Sequence, residues 1–159
     1  MVTITVEQSR AIPVELHRAF DVTLPISLTA IFSRRYALLP PVKEVRGQEG
    51  VWRQVGQSRT VVTTDGGTMC EVLTEVDSPH SFSYHLSDIT GPLRPLVDSI
   101  DGRWEFTTQG TGTLITWRWT LHPKRLGARV MPLVTLMWRG YARQALELLS
   151  EHLLAAESA

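Results

Sequence analysis

Four polar side chains in the aromatic-rich half of the chain could take part in acid–base chemistry. Tyr84, Arg118 and Tyr141 could donate hydrogen bonds to a carbonyl oxygen, and His85 could accept a proton. Strict alternation along a strand, however, places His85 on the face opposite Tyr84, and Arg118 on the face opposite Trp117. We therefore assign no catalytic residue and expect His85 and Arg118 to lie on a solvated strand face.

A metal site in this region would have to draw on His80, His85, Cys70 and Asp88. Their spacing matches neither a His-x-x-x-His nor a Cys-x-x-Cys pattern, and a metal site needs three or four convergent ligands. Glycine-rich phosphate loops and the Gly-x-Ser-x-Gly nucleophile motif do not occur in the sequence either. The sequence therefore predicts neither a metal site nor a cofactor.

Large apolar side chains recur at alternate positions of several predicted strands and along one face of the last predicted helix. Such side chains most often fill an ordinary core between sheet and helix. The alternative is an apolar pocket with a few polar groups, which is the usual composition of a ligand site. In that case the cavity is lined by Met69, Phe82, Tyr84, Trp104, Phe106, Trp117, Trp119, Val134, Met137, Trp138 and Tyr141.

The last segment, residues 124–156, has the periodicity of a helix that is buried on one side, and the other elements must fold around it. We expect the main helix to begin at Pro132, because the residue before a proline is biased away from the helical conformation. The apolar face is predicted to contain Leu126, Val130, Leu133, Val134, Met137, Trp138, Tyr141, Ala145, Leu148 and Leu149.

The opposite face of this helix carries a run of arginines at positions 125, 129, 139 and 143. A solvated helix face is the ordinary interpretation of such a run. The alternative is a surface for an acidic partner, a membrane surface or RNA.

The remaining segments predict one strand, two short helices and then about six antiparallel strands. Turn signals such as Asp65-Gly66-Gly67 separate the strands, and no strand–helix–strand alternation is present, which argues against a Rossmann fold or a parallel barrel. The strands are predicted at 3–12, 42–46, 51–64, 68–76, 81–87, 100–107 and 113–122, and the helices at 14–22 and 26–32.

One connection does not fit this meander. Residues 88–98 contain one glycine and two prolines between strands that a two-residue turn could have joined. Long ordered loops of this kind are often functional, so residues 90–97 are our candidate for a mobile flap over a cavity mouth; a plain surface insertion is the alternative.

The length and composition of the chain exclude several classes of protein. A chain of 159 residues is long enough for one domain with a substantial core, and equal numbers of basic and acidic residues argue against DNA as a partner. The single cysteine excludes an intramolecular disulfide. No apolar run is long enough for a transmembrane segment and no signal peptide is evident, so we expect a cytoplasmic protein.

The order of these elements, together with three sequence segments, resembles the START/Bet v1-like (SRPBCC) superfamily and, within it, the bacterial polyketide cyclase/dehydrase-like proteins. The segments that carry the resemblance are CEVLTEVDSPHSFSYHL (Cys70–Leu86), GRWEFTTQGTGTLITWRWTL (Gly102–Leu121) and MWRGYARQALELLSEHL (Met137–Leu153). The resemblance implies a single domain over residues 1–159 with an α+β helix-grip fold. In this fold a curved antiparallel sheet of about seven strands surrounds the long C-terminal helix, and two short helices lie between strands 1 and 2.

The resemblance also implies a function. Members of this superfamily hold an apolar ligand between the sheet and the helix, so the expected function is binding or carriage of a lipid, quinone or polyketide-like molecule. Two alternatives remain: a polyketide cyclase/dehydrase-type enzyme, and an interaction protein that holds no ligand. The shortage of acid–base residues on the inward faces favours a carrier over an enzyme.

Overall fold

Seven strands form one antiparallel sheet in the computed structural model, which describes residues 2–158. Across the sheet the strands lie in the order β1-β7-β6-β5-β4-β3-β2, so β2 to β7 form a meander and β1 pairs with the last strand. The strands are β1 Ile4–Ile12, β2 Val42–Arg46, β3 Ser58–Thr63, β4 Thr68–Asp77, β5 Ser81–Ser87, β6 Val97–Gln109 and β7 Gly112–Pro123.

Two short helices and one long helix complete the fold. Helices α1 (Leu16–Thr23) and α2 (Leu28–Ile31) connect β1 to β2, and a single 3-10 turn (Gly127–Arg129) precedes the long helix α3 (Met131–Ser158). This arrangement of a curved sheet around a C-terminal helix confirms the predicted helix-grip fold. Within the described residues, no helix combines the length and the hydropathy that a membrane span requires.

Helix α1 begins where the sequence provides a cap. The Glu15 carboxylate accepts hydrogen bonds from the backbone N–H groups of His17 (3.0 Å) and Arg18 (3.1 Å), which the first turn of a helix leaves without intrahelical partners. These two hydrogen bonds lower the pKa of Glu15. Phe20 and Thr23 are buried on the inner side of the helix, so α1 covers one end of the sheet.

The long helix begins one residue before the expected proline, so Pro132 lies in its first turn and does not kink it. The predicted apolar face is correct for Val134 and for several residues beyond it but wrong at its start, where Leu126, Val130 and Leu133 are 69%, 38% and 55% exposed. Leu126 and Val130 precede the helix, so its periodicity does not determine which way they face. Leu133 and Val134 are separated by about 100° on the helix, and only Val134 faces the sheet.

The strand predicted at residues 51–64 begins only at Ser58. Residues 51–57 form a loop, and the backbone groups of Gly56 and Gln57 at its end bond to Leu73 on β4. The rest of the loop is held by the side-chain amide of Gln57. Its oxygen accepts from the N–H groups of Arg53 (2.7 Å) and Gln54 (2.6 Å), and its nitrogen donates to the carbonyl oxygens of Glu49 and Val51 (3.0 Å each). This loop carries Trp52 into the interior, where the side chain is only 1% exposed.

Candidate ligand-binding cavity

A cavity of about 210 Å³ lies between the concave face of the sheet and the helices. Its wall is mostly apolar, and most of its lining residues are buried or half-buried. The exposed lining residues are Leu38, Asp65, Thr90 and Pro92. They belong to the α2–β2, β3–β4 and β5–β6 connections, so the mouth of the cavity lies where these three connections meet.

The structure places most of the residues expected to line a pocket on the wall of this cavity. Strand periodicity puts the aromatic residues of β5, β6 and β7 on one face, and α3 supplies the facing wall. The expected residues found there are Met69, Phe82, Tyr84, Trp104, Trp117, Trp119, Val134, Met137 and Tyr141. That they bind a ligand remains a prediction.

Phe106 and Trp138 are in the packed core beside the cavity and do not line it. Phe106 contacts Phe20 edge to face, with ring centroids 5.3 Å apart, because α1 covers that end of β6. Trp138 is fully buried against Trp117 and Trp119, with centroid distances of 4.9 and 5.8 Å. Its ring therefore supports the wall from behind.

Tyr84 occupies the centre of the sheet wall. A Cβ at Gly102, the residue paired with Tyr84 on β6, would overlap the tyrosine ring, so this glycine allows the ring to lie flat against the sheet. The Tyr84 hydroxyl oxygen accepts hydrogen bonds from the indole N–H groups of Trp117 (2.8 Å) and Trp119 (3.0 Å). Burial, with the charge of Glu71 nearby, raises the pKa of Tyr84, so the hydroxyl stays protonated.

The cavity wall contains a buried ion pair that was not predicted from the sequence. Arg59 on β3 and Glu71 on β4 are directly paired across the two strands, and Arg59 Nε lies 2.7 Å from Glu71 Oε1. Both side chains are only 5% exposed. The Arg59 guanidinium also lies over the Trp52 ring, 3.8 Å from its centroid, and donates to Gln48 Oε1 at 3.0 Å.

The environment of Glu71 changes its acidity. Burial raises the pKa of Glu71 because the charged form loses its hydration, and the neighbouring Arg59 opposes this shift without cancelling it. A carboxyl group of this kind inside a cavity is typical of functional sites as well as of structural ion pairs.

The alternation of inward and outward residues along β3 and β4 could have identified this pair. Val61 and Leu73 are obvious inward residues, and Arg59 and Glu71 each lie two positions before one of them on the same face. The turn at residues 64–67 then sets the register that places the two charges opposite each other.

The other three polar side chains considered from sequence do not provide the cavity with an unpaired proton donor or base. His85 and Arg118 lie on the outer face of the sheet, as alternation predicted, where His85 Nδ1 is 2.6 Å from Asp101 Oδ1 and Arg118 is paired with Glu105 at 2.6 Å. The Tyr141 hydroxyl donates to the carbonyl oxygen of Pro40 at 3.0 Å. Among residues 2–158, no three His, Cys, Asp or Glu side chains converge as metal ligands.

The proline-containing connection between β5 and β6 borders the mouth, where Thr90, Pro92, Leu93 and Leu96 line the cavity. It is attached to the segment before α3, since the Lys124 N–H donates to the carbonyl oxygen of Leu96 at 2.8 Å. Its mobility remains a prediction.

A curved sheet that surrounds a long helix and encloses an apolar cavity defines the Bet v1-like class of proteins. The family model described as "Polyketide cyclase / dehydrase and lipid transport" matches residues 3–153, and the chain belongs to this family. The resemblance found from sequence is thereby confirmed. The family fold is consistent with the binding of hydrophobic ligands in general.

Solved structures share this fold at low sequence identity. Ara h 8.0201 is 16% identical, with a TM-score of 0.69 over 97% of this chain and 99% of that chain. The ginseng major latex-like protein 151 from Panax ginseng is 16% identical, with a TM-score of 0.65 over 96% and 98%. A protein from Thermus thermophilus is 21% identical, with a TM-score of 0.67 over 96% and 99%. A search of curated proteins found no significant match.

Proposed function

We propose that this protein binds or carries an apolar small molecule of the lipid, quinone or polyketide type in the cavity between its sheet and α3. The observation that supports this most directly is the apolar cavity, whose mouth is bordered by exposed residues of three connections. An apolar cavity of about 150 Å³ can hold benzene. A cavity of about 210 Å³ is therefore suited to a ligand of one or two rings without any movement of its walls.

Native mass spectrometry of the freshly purified protein, followed by extraction under denaturing conditions, tests this proposal. The expected result is a released apolar compound of defined mass, or a mass shift when fatty acids, quinones or flavonoids are added. A bare polypeptide mass under all of these conditions would count against the proposal and favour an interaction protein.

A cavity-filling variant provides a sharper test. Met137 is half-buried and lines the cavity, whereas its neighbour Leu136 is 63% exposed and does not line it. We expect Met137→Trp to reduce uptake of apolar ligands at least tenfold because the indole occupies the ligand's space. Leu136→Trp adds the same ring one position along the helix and should leave uptake unchanged. Equal titration curves for the two variants would contradict the assignment of the cavity.

A cyclase/dehydrase-type activity is the second candidate. The observation that favours it is the presence of Glu71 in the wall with a raised pKa, near the protonated hydroxyl of Tyr84. These groups could remove an acidic α-proton and polarise a carbonyl group. Turnover assays on the class of compound extracted from the protein distinguish this activity from carriage, since a carrier returns the compound unchanged.

A further inference from the structure

The Arg59–Glu71 pair leaves hydrogen-bonding groups unused inside an apolar cavity. Arg59 uses Nε for Glu71 and Nη1 for Gln48. Within residues 2–158, neither Arg59 Nη2 nor Glu71 Oε2 has a side-chain or backbone hydrogen bond to the protein. Neither atom is among the buried polar atoms that are closed off without a partner, and both residues line the cavity. Both atoms therefore keep some accessible surface, and the cavity is the space that both of these almost fully buried side chains line.

Buried charged groups are normally satisfied by hydrogen bonds because removing them from water is costly. Here an unused donor and an unused acceptor belong to two side chains that are directly paired across β3 and β4. Such a site is complementary to a group that both accepts and donates a hydrogen bond.

We infer that the Arg59–Glu71 pair anchors the hydroxyl group of an apolar, ring-containing alcohol or phenol. This inference rests on the proposed function of the cavity. A hydroxyl oxygen can accept from Arg59 Nη2 while its proton is donated to Glu71 Oε2, which satisfies both residues at once.

Other ligand groups fit this pair less well. An ionised carboxylate accepts from Arg59, but it brings a second negative charge next to Glu71 in a medium of low dielectric constant. A ketone oxygen accepts from Arg59 and leaves Glu71 Oε2 without a donor. A hydrocarbon satisfies neither group.

The rest of the wall suits a ring system. Phe82, Trp104 and Trp117 line the cavity, and the last two are stacked with ring centroids 5.3 Å apart and an interplanar angle of 12°. Arg59 lies about 13 Å along β3 from Thr63 at the mouth end, at roughly 3.3 Å per residue. The aromatic side chains and the pair line the same cavity, so the proposal places the rings of the ligand against the former and its hydroxyl at the latter.

The test compares 2-naphthol, naphthalene and 2-naphthoate, which share one ring skeleton, by isothermal titration calorimetry at pH 7. Wild-type protein is expected to bind 2-naphthol roughly tenfold more tightly than either of the other two, because a hydrogen bond to a charged group accounts for about that factor.

The double variant Arg59→Met/Glu71→Leu removes the pair without leaving one charge buried alone, a replacement that other proteins often tolerate. It should lose the preference for 2-naphthol and bind naphthalene at least as well as wild type does. The matched control is Arg103→Met/Glu75→Leu, which removes a second cross-strand pair (2.8 Å) on the outer face and should keep the preference.

The outcomes separate the two proposals. Equal affinities for the three compounds in wild type, tighter binding of 2-naphthoate, or an unchanged preference in the Arg59/Glu71 variant would overturn the hydroxyl anchor and leave the proposed function in place. If neither these compounds nor any other apolar probe binds wild-type protein, both the anchor and the proposed function are refuted.

Discussion

Tyr84 connects the polar groups of the cavity wall. Its hydroxyl oxygen is the shared acceptor for two indole N–H groups, and its ring fills the space that Gly102 leaves on the neighbouring strand. Because β5 and β7 are separated by β6, these side-chain bonds connect strands that do not pair directly. Two indole N–H groups of the wall thus share one acceptor oxygen.

We expect Tyr84→Phe to lower the free energy of unfolding by about 2 kcal/mol or more, because each buried donor that loses its acceptor costs roughly 1–3 kcal/mol. Urea denaturation followed by tryptophan fluorescence measures this. Tyr141→Phe is the control, since it removes a single hydrogen bond to Pro40 and should cost only about 1 kcal/mol. Equal losses in the two variants would show that the indole pair does not depend on Tyr84.

The buried charges illustrate what single positions in a sequence do not reveal. Arg59 and Glu71 each lie in a strand whose inward residues could be assigned from hydrophobic alternation, yet a charged residue is by default placed on the solvated face. They are tolerated inside because each neutralises the other and because Trp52 covers the guanidinium. That compensation is a property of the pair and is visible only once the register of β3 and β4 is known.

Helix α3 is held at its middle by the α2–β2 connection. Tyr36 lies against Gly140, where a Cβ would overlap the tyrosine ring, and the next residue of the helix, Tyr141, binds the carbonyl of Pro40. The connection is itself closed by reciprocal backbone hydrogen bonds between Tyr36 and Leu39 (2.9 and 3.0 Å). One edge of the cavity mouth is therefore fixed to the helix at this glycine.

Gly140→Ala separates helix propensity from packing. In an isolated helix, alanine is more favourable than glycine by about 1 kcal/mol. Here we expect the substitution to destabilise the protein by about 1–3 kcal/mol, because the new methyl group displaces the Tyr36 ring. In a Tyr36→Ala background the same change should be neutral or stabilising. A double-mutant cycle by urea denaturation measures the coupling, and additive effects would contradict this contact.

The elements were predictable to the extent that local signals define them. The ends of β1, β5 and β7 and the start of α3 follow from alternation and from proline, and they agree with the structure to within about two residues. The segment at 51–57 could not be predicted from its pattern, because Val51 and Val55 resemble strand residues while the Gln57 side chain holds the segment as a loop. Hydrogen bonds from one side chain to nearby backbone groups leave no periodic pattern in a sequence.

The whole sheet presents two chemically different faces. The concave face carries the apolar cavity, and the convex face carries a network of polar side chains in which Asp101 accepts hydrogen bonds from His85 (2.6 Å) and His122 (2.7 Å). Strand alternation predicts this division. It does not predict whether the concave side is filled or open, because that depends on the curvature of seven strands together.

Stability should fall in acid partly through Asp101. Partial burial acts to raise the pKa of Asp101, but the hydrogen bonds from the two histidines outweigh it, and the pKa is lowered. Its contribution is therefore fully present above the unfolded pKa of about 4 and is lost as the pH falls through the folded pKa. Because this carboxylate is half exposed, solvent screening limits the contribution to about 1 kcal/mol or less.

Urea denaturation of wild type and Asp101→Asn between pH 7 and pH 3 measures this contribution. The stability difference between the two proteins should shrink as the pH falls below about 4. Asp98→Asn, which changes an exposed aspartate on the same strand, is the matched control. A wild-type advantage that persists unchanged at pH 3 would rule out the role assigned to Asp101.

The backbone contact between the β5–β6 connection and the segment before α3 bears on how fast a ligand could enter or leave the cavity. The Leu96 carbonyl binds the Lys124 N–H, and Gly127 lies so close to Leu96 that no side chain fits between them. For a ligand of the proposed function to pass this side of the mouth, the two backbone segments would have to separate together. Such separations take microseconds to milliseconds, whereas a side chain rotates in picoseconds to nanoseconds. Under the proposed function, we therefore expect the residence time of a ligand to follow the opening rate of this contact between distant parts of the chain.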